Sequence, residues 1–242
     1  MDLREHAIHE GERHPWERSR AAFFETVFER HRVRGAHLLD AGAGDGWTAA
    51  RLAHRSGAAA TCWDILYTDE QLEELRAALP KVHFVRDQPD GPFDVALMLD
   101  VLEHVEDDDG FLAGVRDRLQ PGGLAVVSVP AWPALFSEHD VFLQHHRRYR
   151  PGEARDLMER GGFAILESGG LFHGLLPVRS LQVAFEKLGR RSATTSLGEG
   201  PKGLVNNVIT KVLVLEQRLS FLASGSGLML PGLSWWCVAR KL

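Results

Sequence analysis

Cysteine is nearly missing from this chain. Cys62 and Cys237 are the only two in 242 residues, and neither belongs to a CxxC pair. A disulfide framework and a cysteine-based zinc site are therefore not expected. Long apolar runs are missing too: no uncharged apolar stretch reaches 18 residues, so no spanning helix is expected. The first twenty residues, MDLREHAIHEGERHPWERSR, are charged throughout and lack the apolar centre of a signal peptide, which makes a cytoplasmic location the expectation. Nor is there an excess of basic residues. With 28 Lys and Arg against 33 Asp and Glu, the net charge is −5, the wrong sign for a chain whose main partner is nucleic acid. The remainder is ordinary for a folded chain, 44% hydrophobic and 25% charged. A chain of this length can bury roughly 70–75% of its unfolded surface without a metal or disulfide staple.

Short apolar runs alternate with segments of helical period. The strand candidates are residues 37–40 (HLLD), 60–64 (ATCWD), 82–86 (VHFVR), 95–100 (VALMLD), 124–130 (LAVVSVP), 163–167 (FAILE) and 234–240 (SWWCVAR). Between them, sets such as Leu72/Leu75/Leu79 and Val105/Phe111/Leu112/Val115/Leu119 recur at helical spacing. Strands alternating with helices predict βαβ units and a doubly wound α/β sheet covered on both faces. VALMLD and LAVVSV are nearly all apolar, as central strands buried on both sides should be. Two stretches break the alternation. Residues 132–150 form a long polar and aromatic connection after the fifth strand. Residues 171–233 are too long for a single crossover, and they hold two helix candidates, 177–188 and 204–222, around a Ser/Thr/Gly loop at 192–203.

The first strand runs into Asp40-Ala41-Gly42-Ala43-Gly44-Asp45-Gly46 and then a helix. Glycines let the backbone turn sharply and approach a ligand, and this is the usual nucleotide place in such sheets. The spacing is GxGxG, and Asp40 and Asp45 flank and interrupt it. Two carboxylates would repel a pyrophosphate at this helix N-terminus but favour a cationic, phosphate-free cofactor. S-adenosylmethionine has that chemistry. Asp64 ends the second strand, where a carboxylate can accept from ribose hydroxyls. Asp87 follows the third strand and Asp100 ends the fourth, so four acids stand at consecutive strand ends. Helix capping is the alternative use of each one singly.

LLDAGAGDG, the Asp64 spacing, FDVALMLDVLEHVEDD, LQPGGLAVVSVPAW and the Gly161-Gly162-Phe163 turn together resemble the class I S-adenosylmethionine-dependent methyltransferases over residues 36–167. The resemblance implies a Rossmann-like, seven-stranded, mostly parallel sheet whose last strand is antiparallel. It also implies cofactor contacts at Asp40, Gly42, Gly44, Asp64, Asp87, Leu99 and Asp100, with Trp16 and Arg20 on an N-terminal helical lid. The expected organisation is one domain: a helical cap over 1–34, a cofactor-binding core over 35–170, a helical insertion over 171–233 and the last strand over 234–242.

The acceptor side is expected from FSEHDVFLQHHRRY, residues 136–149, which leaves the carboxyl end of strand five. His139 is the first candidate for a base. Asp140 and His104 are the other catalytic candidates, and His145, Arg148 and Tyr149 are expected to touch the acceptor. A loop that merely packs over the cofactor is the competing reading. Asp140, His145 and His146 could ligate a metal, but their spacing matches no strict signature and no metal is expected. His6 and His9 are expected in solvent.

Leu204, Val205, Val208, Ile209, Val212, Leu215, Leu219 and Leu222 share one helical face, with Asn206, Thr210, Lys211 and Gln217 largely away from it. Burial in the core is the expected use of this stripe. A dimer interface, or a wall for a lipid-like acceptor with peripheral membrane contact through 171–233, are the others. The expected function is methyl transfer from S-adenosylmethionine to an oxygen or nitrogen of a small-molecule or lipid- or sugar-linked acceptor. An NAD-dependent oxidoreductase or epimerase is the runner-up, weakened by the missing GxGxxG and by Glu153 where a Tyr149-x-x-x-Lys pair would need lysine. A non-catalytic S-adenosylmethionine-binding module is the third reading. DVLEH stands where a nucleic-acid methyltransferase would carry Asn/Asp-Pro-Pro-aromatic, so nucleic acid is not expected as a partner.

Overall fold

The structure, a computed structural model, describes residues 13–188 and 204–242. The expected loop at 192–203, and His6 and His9, lie outside the described residues. In chain order the elements are α1 (Pro15–Arg30), β1 (His37–Ala41), α2 (Trp47–Ser56), β2 (Ala59–Trp63), α3 (Asp69–Ala78), β3 (Val82–Val85), β4 (Phe93–Leu99), α4 (Asp108–Arg118), β5 (Leu119–Pro130), α5 (Glu138–Phe142), α6 (Pro151–Arg160), β6 (Phe163–Leu171), α7 (Leu175–Lys187), α8 (Leu204–Gly225) and β7 (Ser234–Lys241). The seven strands form one sheet in the order β3-β2-β1-β4-β5-β7-β6. β7 lies antiparallel to both its neighbours, and the other pairings are parallel.

Each face of this sheet has its own core. On one, Phe23, Phe24, Val27 and Phe28 of α1, Leu52 of α2 and Leu213 of α8 pack on Leu38, Cys62, Leu97 and Trp236. On the other, Leu112 and Val115 of α4 and Leu157 and Met158 of α6 pack on Leu39, Ala96, Met98, Val127, Trp235 and Cys237. Alternate residues of β4 and β7 serve opposite cores, which is why both strands read as unbroken apolar runs. The helices carry their own stop and start signals. Thr68 and Gln71 cap α3 reciprocally, Asp107 caps α4 through the Gly110 N–H, and Pro151 opens α6.

Helix α8 departs from the expectation that its apolar stripe is core. Val208, Val212, Leu215, Leu219 and Leu222 are 58–68% exposed, while Asn206, Gln217, Ser220 and Ser224 are buried. The side chains of Leu204 and Val205 lie outside the described residues. The cause is the surface α8 meets. Asn206 donates to the Arg13 carbonyl at 3.4 Å, Gln217 to Ser19 Oγ at 3.4 Å, and Ser220 and Ser224 bond to the Gly170 carbonyl and Glu167. Among the described side chains of α8, Leu213 with the half-buried Ile209 and Phe221 supplies the apolar contact on that side. On α7, Val178, Leu181, Phe185 and Leu188 are likewise exposed. Among the described residues no helix is long and apolar enough to cross a membrane.

Candidate functional site

The carboxyl ends of β1, β2, β4 and β5 open onto one crevice, with α1 across it. The turn after β1 can be made only by residues that accept a left-handed backbone and no side chain. Gly42 and Gly46 have φ of +74° and +69°. A Cβ on Gly42 would stand 2.7 Å from Val101, and one on Gly46 would stand 2.6 Å from the Phe84 ring. The turn is fixed to β2 by the Gly42 N–H, which donates to the Trp63 carbonyl at 2.8 Å. Asp64 accepts from the Gly44 N–H at 3.1 Å and the Leu66 N–H at 3.0 Å. Tyr67 donates to the Gly44 carbonyl at 2.6 Å.

Three carboxylates share this turn. Burial pushes Asp40 up to about 7, and the negative charges of Asp64 and Asp45 add to it against the pull of Arg20. Asp45 is buried and accepts from the Trp47 N–H at 3.0 Å and from Arg13. Asp100, just beyond β4, adopts φ of +57°, accepts from Ser128 Oγ at 3.0 Å and pairs with Arg20. Arg20 lies over the Trp16 ring at 4.6 Å, and Arg13 over the Trp47 ring at 4.5 Å. So α1 through Arg20, and the residues just before it through Arg13, reach down to the acidic crevice. Trp16 is half-buried beneath one of them. Leu99 is buried at the end of β4, and Asp87 is exposed beyond β3.

The other side of the crevice begins where β5 ends. Trp132 takes φ of +67° and its indole donates to the Gly232 carbonyl at 2.7 Å. Asp140 is fully buried and accepts from the Ser137 N–H and Oγ, both at 3.0 Å, from His145 Nδ1 at 2.9 Å and from Arg148 Nε at 2.7 Å. Burial alone would raise its carboxyl, but His145 and Arg148 outweigh it and hold it at about 2. With four donors on it, Asp140 braces the loop from within. Arg148 is buried beside it and also donates to the Ala131 carbonyl at 3.3 Å. Tyr149 is buried, donates to Asp108 at 2.8 Å, and is pushed well above its ordinary range chiefly by that burial. These three expected site residues are thus places of support.

His139, in the first turn of α5, is half-buried, and burial with the nearby Arg179 lowers its pKa. His104 and His145 meet edge to face with ring centres 4.6 Å apart. Beside them Glu103, which the sequence reading passed over, is buried and pushed up to about 7 by burial. Among the described residues, Glu103, His104 and His145 are the group whose ligand atoms could gather on a cation. Arg13 was also missed. A Glu-His pair directly after the fourth strand was the available signal for the first; nothing local marks Arg13.

The profile of one protein family, described as a methyltransferase domain, matches residues 9–168. The chain belongs to the methyltransferase-domain family. A probable S-adenosylmethionine-dependent methyltransferase of Mycolicibacterium smegmatis is 30% identical over 160 residues, covering 62% of this chain and 61% of that relative. This family member spans about three fifths of the length of the curated relatives it matches. Among solved structures it is similar in fold to the 1,6-didemethyltoxoflavin-N1-methyltransferase of Burkholderia thailandensis, which was solved with 1,6-didemethyltoxoflavin and S-adenosylhomocysteine bound. There the TM-score is 0.54 at 19% identity, over 93% of this chain and 78% of the other. It is also similar in fold to the [4+2]-cyclase SpnF, with a TM-score of 0.56 at 19% identity over 96% of this chain and 84% of that one.

Proposed function

We propose that this methyltransferase-family protein transfers a methyl group from S-adenosylmethionine to an oxygen or nitrogen of a small-molecule or lipid- or sugar-linked acceptor, and that it acts in the cytoplasm. One observation carries the reading: a turn with left-handed glycines at 42, 44 and 46 lies beside Asp40, Asp64 and Asp100 at the carboxyl ends of β1, β2 and β4. The donor set fits the cofactor. Burial and two neighbouring carboxylates leave Asp40 in want of a positive charge, a dinucleotide pyrophosphate would worsen that repulsion, and a sulfonium with an ammonium would relieve it. The names borne by the mycolicibacterial relative and by the Burkholderia structure, with its bound S-adenosylhomocysteine, support the same reading.

The cofactor, when bound, supplies an electrophilic methyl on a charged sulfur. The rest falls to this chain. Asp64 accepts from the ribose hydroxyls, exchanging its present hold on Gly44 and Leu66. Asp40 and the Gly42–Gly46 turn hold the methionine end, Leu99 and Asp100 line the floor, and Trp16 with Arg20 covers it. His139 takes the acceptor's proton: its lowered pKa keeps the imidazole neutral near pH 7, as a base must be. The exposed apolar sides of α7 and α8, with Val141 and Phe142 of α5, offer surface to a lipid-linked acceptor, to a membrane or to a second copy of the chain.

Thermal unfolding with S-adenosylhomocysteine, and with NADH as the control, tests the reading. At 100 times its dissociation constant a ligand adds about 2.7 kcal/mol, a shift of roughly 5–10 °C for a chain of this size. A shift with S-adenosylhomocysteine that weakens in Asp64→Ala is the expected result. A shift with NADH alone would overturn the proposal.

A further inference from the structure

Glu103 and His104 sit in a 3₁₀ turn, Leu102–His104, just beyond β4. His145 comes from the separate loop after α5, and the two loops are tied where the His146 N–H donates to the Glu103 carbonyl at 2.7 Å. One ligand atom from each of Glu103, His104 and His145 lies within 4.8 Å of the other two.

Two further observations mark this as more than a polar cluster. Glu103 is 1% exposed, and its Oε2 has no hydrogen-bond partner among the described residues. A buried carboxylate oxygen left without a partner is costly, and a cation is one way to offset that cost. His145, for its part, is already oriented. Its Nδ1 donates to Asp140 at 2.9 Å, and Asp140 is fixed in turn by Ser137 and Arg148. A proton on Nδ1 leaves Nε2 with its lone pair outward, the arrangement in which a carboxylate stands behind a metal-binding histidine.

We propose that Glu103, His104 and His145 bind a divalent transition-metal cation on the acceptor side of the crevice, with Asp140 as the positioning residue behind His145. Two imidazoles and one carboxylate suit zinc, cobalt, manganese or iron better than magnesium, and they leave coordination positions open. With bonds of about 2.1 Å, ligand atoms around a tetrahedral ion stand roughly 3.4 Å apart, so the three side chains close in by on the order of 1 Å. If the methyl-transfer reading holds, on which this one role rests, the open positions take an acceptor hydroxyl and lower its pKa. The acceptor would then be a hydroxylated molecule. Cation binding itself does not depend on that reading.

The test uses the full chain, freed of metal with a chelator, titrated with Zn²⁺, Co²⁺ and Mg²⁺ by calorimetry and, for Co²⁺, by visible absorption. We expect one equivalent of Zn²⁺ or Co²⁺, with affinity at least 100-fold weaker in Glu103→Gln and in His145→Gln. Asp140→Asn should weaken it 10- to 100-fold, with a changed Co²⁺ spectrum. His146→Gln and the remote His54→Gln should bind as the unaltered chain does. Circular dichroism of each variant without metal shows that the fold is kept. No stoichiometric uptake, uptake of Mg²⁺ alone, or equal binding in Glu103→Gln and His145→Gln would overturn the site. S-adenosylhomocysteine binding by the same samples separates the two proposals: uptake of Zn²⁺ without any response to S-adenosylhomocysteine sinks the methyl-transfer reading and supports this site.

Discussion

The two sides of the crevice are held in different ways. The β1–β2 side is a backbone structure: main-chain bonds from Gly42 and Ala43 to Trp63, and one carboxylate and one phenol clipped to Gly44. The side after β5 is a side-chain structure, in which one buried carboxylate, Asp140, gathers donors from Ser137, His145 and Arg148. A turn held by its own backbone depends on the smallness of a few residues and little on the rest. A loop hung on a single buried charge stands or falls with that charge.

The largest effect should therefore come from Asp140→Ala. It strands the buried Arg148 and the half-buried His145, at a cost of about 3–5 kcal/mol, which lowers the melting point by on the order of 10 °C in a chain of this size. Calorimetric affinity for S-adenosylhomocysteine should be retained; parallel loss of both would erase the distinction between the two sides. Next comes Gly46→Ala. Its φ of +69° and the Phe84 ring 2.6 Å from the new Cβ predict a loss of about 1–3 kcal/mol. Here cofactor affinity should drop at least tenfold, and a variant that binds normally would show that the turn is not what shapes the pocket.

The third effect shows itself only as a dependence on pH. Folding raises Asp40 to about 7, chiefly by burial. Between the unfolded value near 4 and about 7 the native state holds the extra proton, so stability from this group is present below pH 4 and is lost as the pH climbs through 7. Relative to the unaltered protein, Asp40→Asn should gain stability from pH 4 to 7 and hold a constant advantage above it. A pH-independent difference in melting point would place the charge elsewhere.

The same division governs what could be read in advance. Local apolar runs place the strands within a few residues, although β5 starts earlier, at Leu119, because Leu119 pairs with Phe93 and the chain bulges over residues 120–123 before Leu124 pairs with Val95. The turn after β1 is legible since its requirements, small residues and acids at strand ends, are met inside a short stretch of chain. The loop after β5 shows its residues but not their duties. Asp140, Arg148 and Tyr149 look like exposed chemistry in a polar segment, and only contacts with Ser137, Ala131 and Asp108 turn them into supports. Helix α8 shows the sharpest limit. Periodicity sorts its residues onto two faces but does not say which turns inward. That was decided by Ser19, Glu167 and the carbonyls of Arg13 and Gly170, which have hydrogen-bonding groups to satisfy and little apolar surface to offer.

The place of β7 has a consequence in time. It fills the gap between β5 and β6, with Trp235, Trp236 and Cys237 buried against both, yet of the seven strands it comes last in the chain. Until residues 234–241 leave the ribosome, β5 and β6 have no neighbour between them, and the two cores lack Trp235 and Trp236. At 5–20 residues per second, the stretch between the end of β6 and the end of β7 takes roughly 4–14 s to synthesise. Through that interval β5 presents an open, strongly apolar edge, and the nascent chain has to be kept from pairing it with another molecule.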